Sequence, residues 1–283
     1  MKSILLILFL LFQSFNLIAQ SYSGSTYQEA SSKKSGEIVF LHMPSPYISE
    51  KQNNIRKGIC SDIMNEFIQY VEKTKGIKLN VKHVDAEDNF PKFIKTVRES
   101  NGGVFGLGDV TITNERKTFL NFSPSYLDNF PVLVTNSTYD RFQNEAILFK
   151  KYEFKTAYTT KGTLHERRVL DLIAKYQLKT TVTYVPSSIE IIDFIEKDPS
   201  SFGLVDAIFY LDAVKKKMKI SPQQIEKKES EEYGIIMPKN SDWATVMKDF
   251  FEHNGGFKNS SNYRKILSDN FGPAGAGLFK KGK

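Results

Sequence analysis

Twice along this 283-residue chain, short apolar runs alternate with segments of helical periodicity, and this alternation restricts the fold more than any other feature. Residues 38–43 form an apolar run ended by Pro44, the pattern of a buried strand. Ile59, Ile63, Phe67 and Val71 recur at helical spacing, with Gly76 as a stop. Ile77, Leu79 and Val81 alternate with Lys78, Asn80 and Lys82, which predicts a half-exposed strand. Pro91 opens a short helix ending near Asn101-Gly102-Gly103, and a third strand runs into a Thr-rich turn. The order β-α-β-α-β predicts a mostly parallel sheet with ligand sites at the carboxyl ends of its strands. The pattern then repeats: a strand at 156–159, a turn at Gly162-Thr163, a helix over 164–176 and a strand at 181–185. Ser187 and Glu190 are spaced as a capping box before a helix over 189–196, and 202–210 reads as a further strand before a Lys-rich helix. A return strand at 233–237 and helices around 243–252 and 263–268 complete the pattern.

Residues 1–20 read as a secretory signal peptide, with Lys2 before an apolar stretch that Gln13, Ser14 and Asn16 make too short to span a bilayer. No Cys lies near the expected cleavage site, so the mature chain is expected to be soluble in the periplasm or outside the cell. The remaining ~260 residues can hold two modest cores. Cys60 is the only cysteine, which excludes an intrachain disulfide, and in an apolar helix start it reads as a small buried hydrophobe. The formal charge of +7 falls to +6 without Lys2, and much of the excess sits in short runs such as Lys215-Lys216-Lys217. Such runs mark a solvated face, and no nucleic-acid motif is present. Residues 21–36 have no periodicity and are expected to form a flexible leader, and 273–283, rich in Gly, Ala and Lys, a flexible tail.

The segment Gly108-Asp109-Val110-Thr111-Ile112-Thr113-Asn114-Glu115-Arg116-Lys117, followed by Phe122-Ser123-Pro124-Ser125-Tyr126, carries the clearest chemistry. A Thr hydroxyl and an Arg fork on a rigid turn can grip a small carboxylate through parallel donors. The alternative is an Arg on a surface turn, paired with Glu115 or Asp109. This segment resembles the T-I-T-x-E-R-K … F-S-x-x-Y signature of the bacterial extracellular solute-binding proteins of family 3, the polar amino-acid type. Pro46-Tyr47, Gly58-Ile59-Cys60-Ser61-Asp62-Ile63, Gly162-Thr163, Val205-Asp206-Ala207-Ile208, Tyr233-Gly234-Ile235 and Asn270-Phe271-Gly272 resemble other landmarks of that family, in order.

The resemblance implies an α/β, type II periplasmic-binding-protein fold. Two lobes, each a mostly parallel sheet flanked by helices, would be joined by two hinge crossings, near 133–136 and 231–235. Lobe 1 would comprise 37–134 and 234–272, and lobe 2 135–233. It implies that Thr111 and Arg116 hold a ligand carboxylate, that backbone N–H groups at Gly162 and Thr163 suit an anion, and that Tyr47 packs on the ligand. Tyr126 would support the hinge. An ordinary Gly turn with Thr163 as a helix cap, and Tyr47 as a core aromatic, are the competing readings.

Two departures bear on specificity. Where the family often has Gly two residues before the first signature Thr, this chain has Asp109. Where it has an ammonium-binding Asp after the Asp-Ala strand, the matching residue is Leu211, with Asp212 next. Asp109 or Asp212 is therefore expected to take the ligand's cation.

His42, His83, His165 and His253 have no metal-ligand spacing, and no nucleophile elbow or phosphate loop is present. The expectation is a monomeric, non-enzymatic binding protein without cofactor. It would deliver an amino acid or related carboxylate to the permease of an ABC-type transporter and would contact no nucleic acid. A ligand-sensing or partner-binding protein is one alternative. An enzyme resembling the periplasmic cyclohexadienyl dehydratases, with Asp109 or Glu190 as its acid, is another.

Overall fold

A computed structural model describes residues 21–225 and 231–279. The expected signal peptide lies outside the described residues, as do the last four residues of the expected tail. No helix among the described residues is long and apolar enough to cross a membrane.

Two five-stranded sheets organise the chain. In the first, the spatial order is Lys78–Asp85, Ser35–His42, Val104–Leu107, Ile236–Pro238 and Leu120–Phe122. The first three strands are parallel, and Ile236–Pro238 runs antiparallel to both its neighbours. In the second, Thr181–Tyr184, Thr156–Thr159 and Ser201–Asp206 are parallel, and Pro131–Asn136 and Ile220–Gln223 follow in antiparallel sense. Helices flank each sheet, giving the bilobed type II periplasmic-binding-protein architecture. Both faces of the inner strands are covered, so Val104–Leu107 and Ser201–Asp206 are buried at every residue, as parallel strands between helices are.

The lobes are joined by a two-stranded ribbon, Leu127–Asn129 antiparallel to Glu231–Tyr233. The first crossing therefore precedes the expected 133–136, because all of Pro131–Asn136 belongs to the second sheet. The expected strand over 202–210 also divides. It ends at Asp206, whose extended backbone is the N-cap of the helix Ala207–Lys215, and the apolar run that follows is that helix's buried face.

Residues 21–36 are folded onto the first lobe. Thr26 and Glu29 form a reciprocal capping box that starts the helix Tyr27–Lys33, and Ala30 is fully buried. The Trp243 indole N–H donates to the Ser25 carbonyl at 2.8 Å, and the Asp242 carboxylate accepts from the backbone N–H groups of Tyr27 and Gln28. At the other end, the helix Ser261–Leu278 breaks at Gly272, where φ is 73° and Pro273 follows. The chain then packs on: Phe279 is buried and stacks 4.4 Å from Phe271, with Phe130 on a further side. The expected flexible leader, and the expected tail as far as Phe279, are thus tied down by apolar contacts and caps.

Candidate functional site

The strand Val104–Leu107 ends at the cleft, and residues 108–113 continue as an extended turn. Gly234 N–H donates to the Val110 carbonyl, Ile112 N–H donates to the Glu232 carbonyl, and Tyr126 OH donates to the Gly108 carbonyl. Thr113 then caps the single helical turn Asn114–Lys117 by accepting from Arg116 N–H at 3.1 Å. This geometry turns the Arg116 side chain inward, where it is 8% exposed. Its guanidinium lies 4.8 Å from the centre of the Phe90 ring, and Nη1 donates to the Thr111 carbonyl at 2.9 Å. Among the described residues that is its only hydrogen bond, and no carboxylate lies within 4.0 Å of it.

Asp109, Thr111 and Arg116 from the first lobe meet Thr160, Thr163, His165 and Asp206 from the second around a cavity of about 50 Å³. Met43, Pro44, Phe90, Leu164, Pro186 and Phe209 supply apolar walls. Burial, and then the nearby Asp206 and Asp88 carboxylates, push the Asp109 carboxyl up to about 7. Asp109 Oδ1 has no hydrogen-bond partner among the described residues. Beyond Arg116, Phe90, Thr163 and Leu164 lies a wider outer cavity of about 580 Å³, lined also by Gly162, Arg98 and Arg167.

The hinge ribbon contributes to the same network. Glu231 accepts from Thr111 Oγ1 at 3.1 Å, pairs with the Arg168 guanidinium, and accepts from Asn129 Nδ2 at 3.3 Å. Asn129 Nδ2 also donates to Asp206, whose Oδ1 lies 3.0 Å from His165 Nε2. Burial alone would depress the His165 imidazole, but the Asp206 and Glu231 carboxylates outweigh it and hold its pKa above the ordinary value. The same pairing, with the Asn129 hydrogen bond, outweighs burial at Asp206 and keeps its carboxyl below the ordinary value. One ligand atom each from His165, Asp206 and Glu231 lies within 4.8 Å of the others, close enough for a divalent cation. The guanidinium already seated on Glu231 and that of Arg116 beside the cavity oppose such a cation electrostatically.

Of the residues singled out in the sequence, Asp109, Thr111, Arg116 and Thr163 share the inner cavity and Gly162 lines the outer one. Part of the Gly162-Thr163 turn is satisfied internally: Gly162 N–H donates to Glu166 Oε2, and Thr163 Oγ1 donates to the Thr160 carbonyl while accepting from Glu166 N–H. Tyr47 and Asp212 do not line the inner cavity and border a separate depression of about 670 Å³. The backbone of Tyr47 has φ of 63°, and its ring rests on Phe271 with the Lys215 ammonium 5.6 Å from the ring centre. Asp212 is paired with Lys216 at 2.6 Å. Sequence reasoning missed Phe90, His165, Asp206, Arg168 and Glu231 as members of one cluster, because they come from segments that meet only in space. The lobes also touch at the cleft mouth, where Arg167 pairs with Glu115 at 3.2 Å.

No protein-family model matches the sequence, and no curated protein matches it. Solved structures do match. An ancestral arginine-binding protein bound to arginine is 20% identical with a TM-score of 0.64, over 84% of this chain and 99% of that one. The arginine-, lysine-, histidine-binding protein ArtJ from the thermophilic bacterium Geobacillus stearothermophilus is 17% identical with a TM-score of 0.64, over 83% and 94%. The ancestral amino acid-binding protein AncCDT-1, a precursor of cyclohexadienyl dehydratase, is 15% identical with a TM-score of 0.67, over 86% and 98%. At these identities the likeness establishes the fold, the type II periplasmic-binding-protein fold.

Proposed function

We propose that this chain is a periplasmic solute-binding protein whose lobes close over a small zwitterion, an amino acid or a related carboxylate, for delivery to the permease of an ABC-type transporter. The observation that carries this reading is Arg116: a buried guanidinium with one hydrogen bond and no carboxylate within 4.0 Å among the described residues. A buried charge is stable only when paired. A ligand carboxylate is the partner that the planar fork suits. Asp109 supplies the opposite pole across the same cavity and is the acceptor for a ligand ammonium, whereas Asp212 is committed to Lys216 outside it. The names of the structural neighbours, amino-acid-binding proteins, point the same way.

The test is the melting temperature of the purified protein against a panel of amino acids, dicarboxylates and prephenate. A ligand at about 1,000 times its dissociation constant adds roughly 4 kcal/mol, several degrees for a protein of this size. Arg116→Met is expected to abolish the shift. A flat panel, with a co-purified ligand excluded by mass spectrometry, refutes the proposal.

A second reading is acid-assisted loss of a ring hydroxyl as water, coupled to loss of the ring carboxylate as carbon dioxide, whose C–C electron pair completes the aromatic ring. It is favoured by the Asp109 carboxyl, which retains its proton up to about pH 7 and so can serve as a general acid. Turnover of prephenate by the wild type and its loss in Asp109→Asn would establish this reading, and no turnover would remove it.

A further inference from the structure

Arg116 and Asp109 account for the two charged ends of a zwitterion and leave two polar atoms of the same cavity unexplained. Thr160 Oγ1 and His165 Nδ1 are buried, belong to cavity-lining residues, and have no hydrogen-bond partner among the described residues. Native interiors seldom tolerate unpaired polar atoms, and two beside one cavity point to a polar group that belongs there. Two nearby polar groups of the second lobe are committed. Thr163 Oγ1 is used within its own turn, and Arg168 is seated on Glu231. His165 is fixed through Nε2 to Asp206, which Asn129 holds in turn, so Nδ1 is the ring nitrogen left over. Thr160 follows the strand Thr156–Thr159, and His165 sits in the first turn of the helix Leu164–Lys175, so both are positioned by rigid elements.

Size narrows the ligand further. The cavity of about 50 Å³ is several-fold below the ~300–1,000 Å³ of pockets that take drug-sized ligands. Phe90, held against the Arg116 guanidinium, lines both this cavity and the outer one and stands between them with Arg116, Thr163 and Leu164.

We propose, building on the function above, that the ligand is a small amino acid with a side-chain hydroxyl, of the size of serine, whose hydroxyl is held by Thr160 Oγ1 and His165 Nδ1. A hydroxyl both donates and accepts, so it can pair with the Thr hydroxyl and with either protonation state of the imidazole nitrogen. Alanine would leave both protein atoms unpaired, and glutamine or arginine would overfill the cavity.

The experiment is titration calorimetry of glycine, alanine, serine, glutamine and arginine into the purified wild type and the variants Thr160→Val and Thr160→Ser. Serine is expected to bind the wild type at least about tenfold more tightly than alanine, since a site built around a hydroxyl discriminates strongly against its loss. Thr160→Val is expected to narrow the serine-to-alanine ratio to about threefold or less, and Thr160→Ser to preserve it. Equal affinity for serine and alanine, or a ratio that Thr160→Val leaves unchanged, overturns the hydroxyl site. Tightest binding of glutamine or arginine overturns the size argument. In each of these cases binding of an amino acid persists and the proposed function stands. If no amino acid binds the wild type, the hydroxyl site is overturned, and a melting shift with an amine-free carboxylate then decides whether the proposed function stands.

Discussion

Asp109 gives the sharpest test of the cleft's electrostatics. Its carboxyl is pushed from the ordinary 3.8 to about 7 by burial and by the Asp206 and Asp88 carboxylates. A carboxyl that holds its proton more tightly in the folded state contributes stability that is full below about pH 4 and is lost as pH rises through about 7. At about 1.36 kcal/mol per pH unit, the interval corresponds to roughly 4 kcal/mol. Asp109→Asn removes the titration while keeping the shape. The variant should match the wild type within about 1 kcal/mol at pH 4 and exceed it by roughly 3–4 kcal/mol at pH 8. At about 2 °C per kcal/mol, that is on the order of 6–8 °C in Tm. The assay is urea unfolding or thermal melting of both proteins, without ligand, from pH 4 to 8. The His165–Asp206 pair, whose raised imidazole also loses stability as pH rises, is common to both proteins, so the difference reports Asp109 together with its coupling to Asp206. A difference that stays constant across this range, or a variant less stable at pH 8, would refute the reasoning. The same carboxyl must ionise to receive an ammonium, so zwitterion affinity should rise about tenfold per pH unit up to about pH 7 and then level.

The Glu115–Arg167 pair at the cleft mouth is exposed on both sides, so Arg167→Gln should change stability by less than about 1 kcal/mol and weaken ligand binding only a few-fold, less at high salt. Phe279→Ala should cost about 3 kcal/mol in urea unfolding, because the ring is buried against Phe271; a loss under 1 kcal/mol would mean that the C-terminal turn does not pack. The thiol of Cys60 is fully buried and pushed up to about 12, so it should resist a disulfide reagent at pH 8 until the protein unfolds, and rapid labelling of the native protein would contradict its burial.

Much of the fold was legible because its signals are local. Ile59, Ile63, Phe67 and Val71 describe one buried helix face, and the apolar run read at 38–43 covers the buried part of the strand Ser35–His42. The errors have physical causes. Pro131–Asn136 is buried at every residue, and a strand buried on both faces carries no mark of the lobe it joins. The apolar run after Asp206 reads as strand until the cap at Asp206 is seen to start a helix. The helix at 27–33 has too few apolar residues for a period, yet its Thr26–Glu29 capping box was present in the sequence. In the candidate site, Asp109, Thr111 and Arg116 sit in one turn and could be read together. His165, Asp206 and Glu231 meet only when two lobes and a hinge are assembled, and no spacing rule relates them.

The strand Ile236–Pro238 lies between Val104–Leu107 and Leu120–Phe122, so the first lobe's sheet is divided in sequence by the whole of the second. During synthesis, the residues that fill that gap take on the order of ten seconds to emerge, at roughly 5–20 residues per second. Through that interval Leu120–Phe122 has no neighbouring strand, and Phe105 lacks the Trp243 ring that packs on it in the finished protein. The second lobe, contiguous between residues 131 and 225 and built largely from nearer pairings, can close first. The finished order of assembly is thus the reverse of the order of appearance: the half that begins the chain is the last to be completed, and refolding should show two kinetic phases, with the slower belonging to the lobe that contains Trp243.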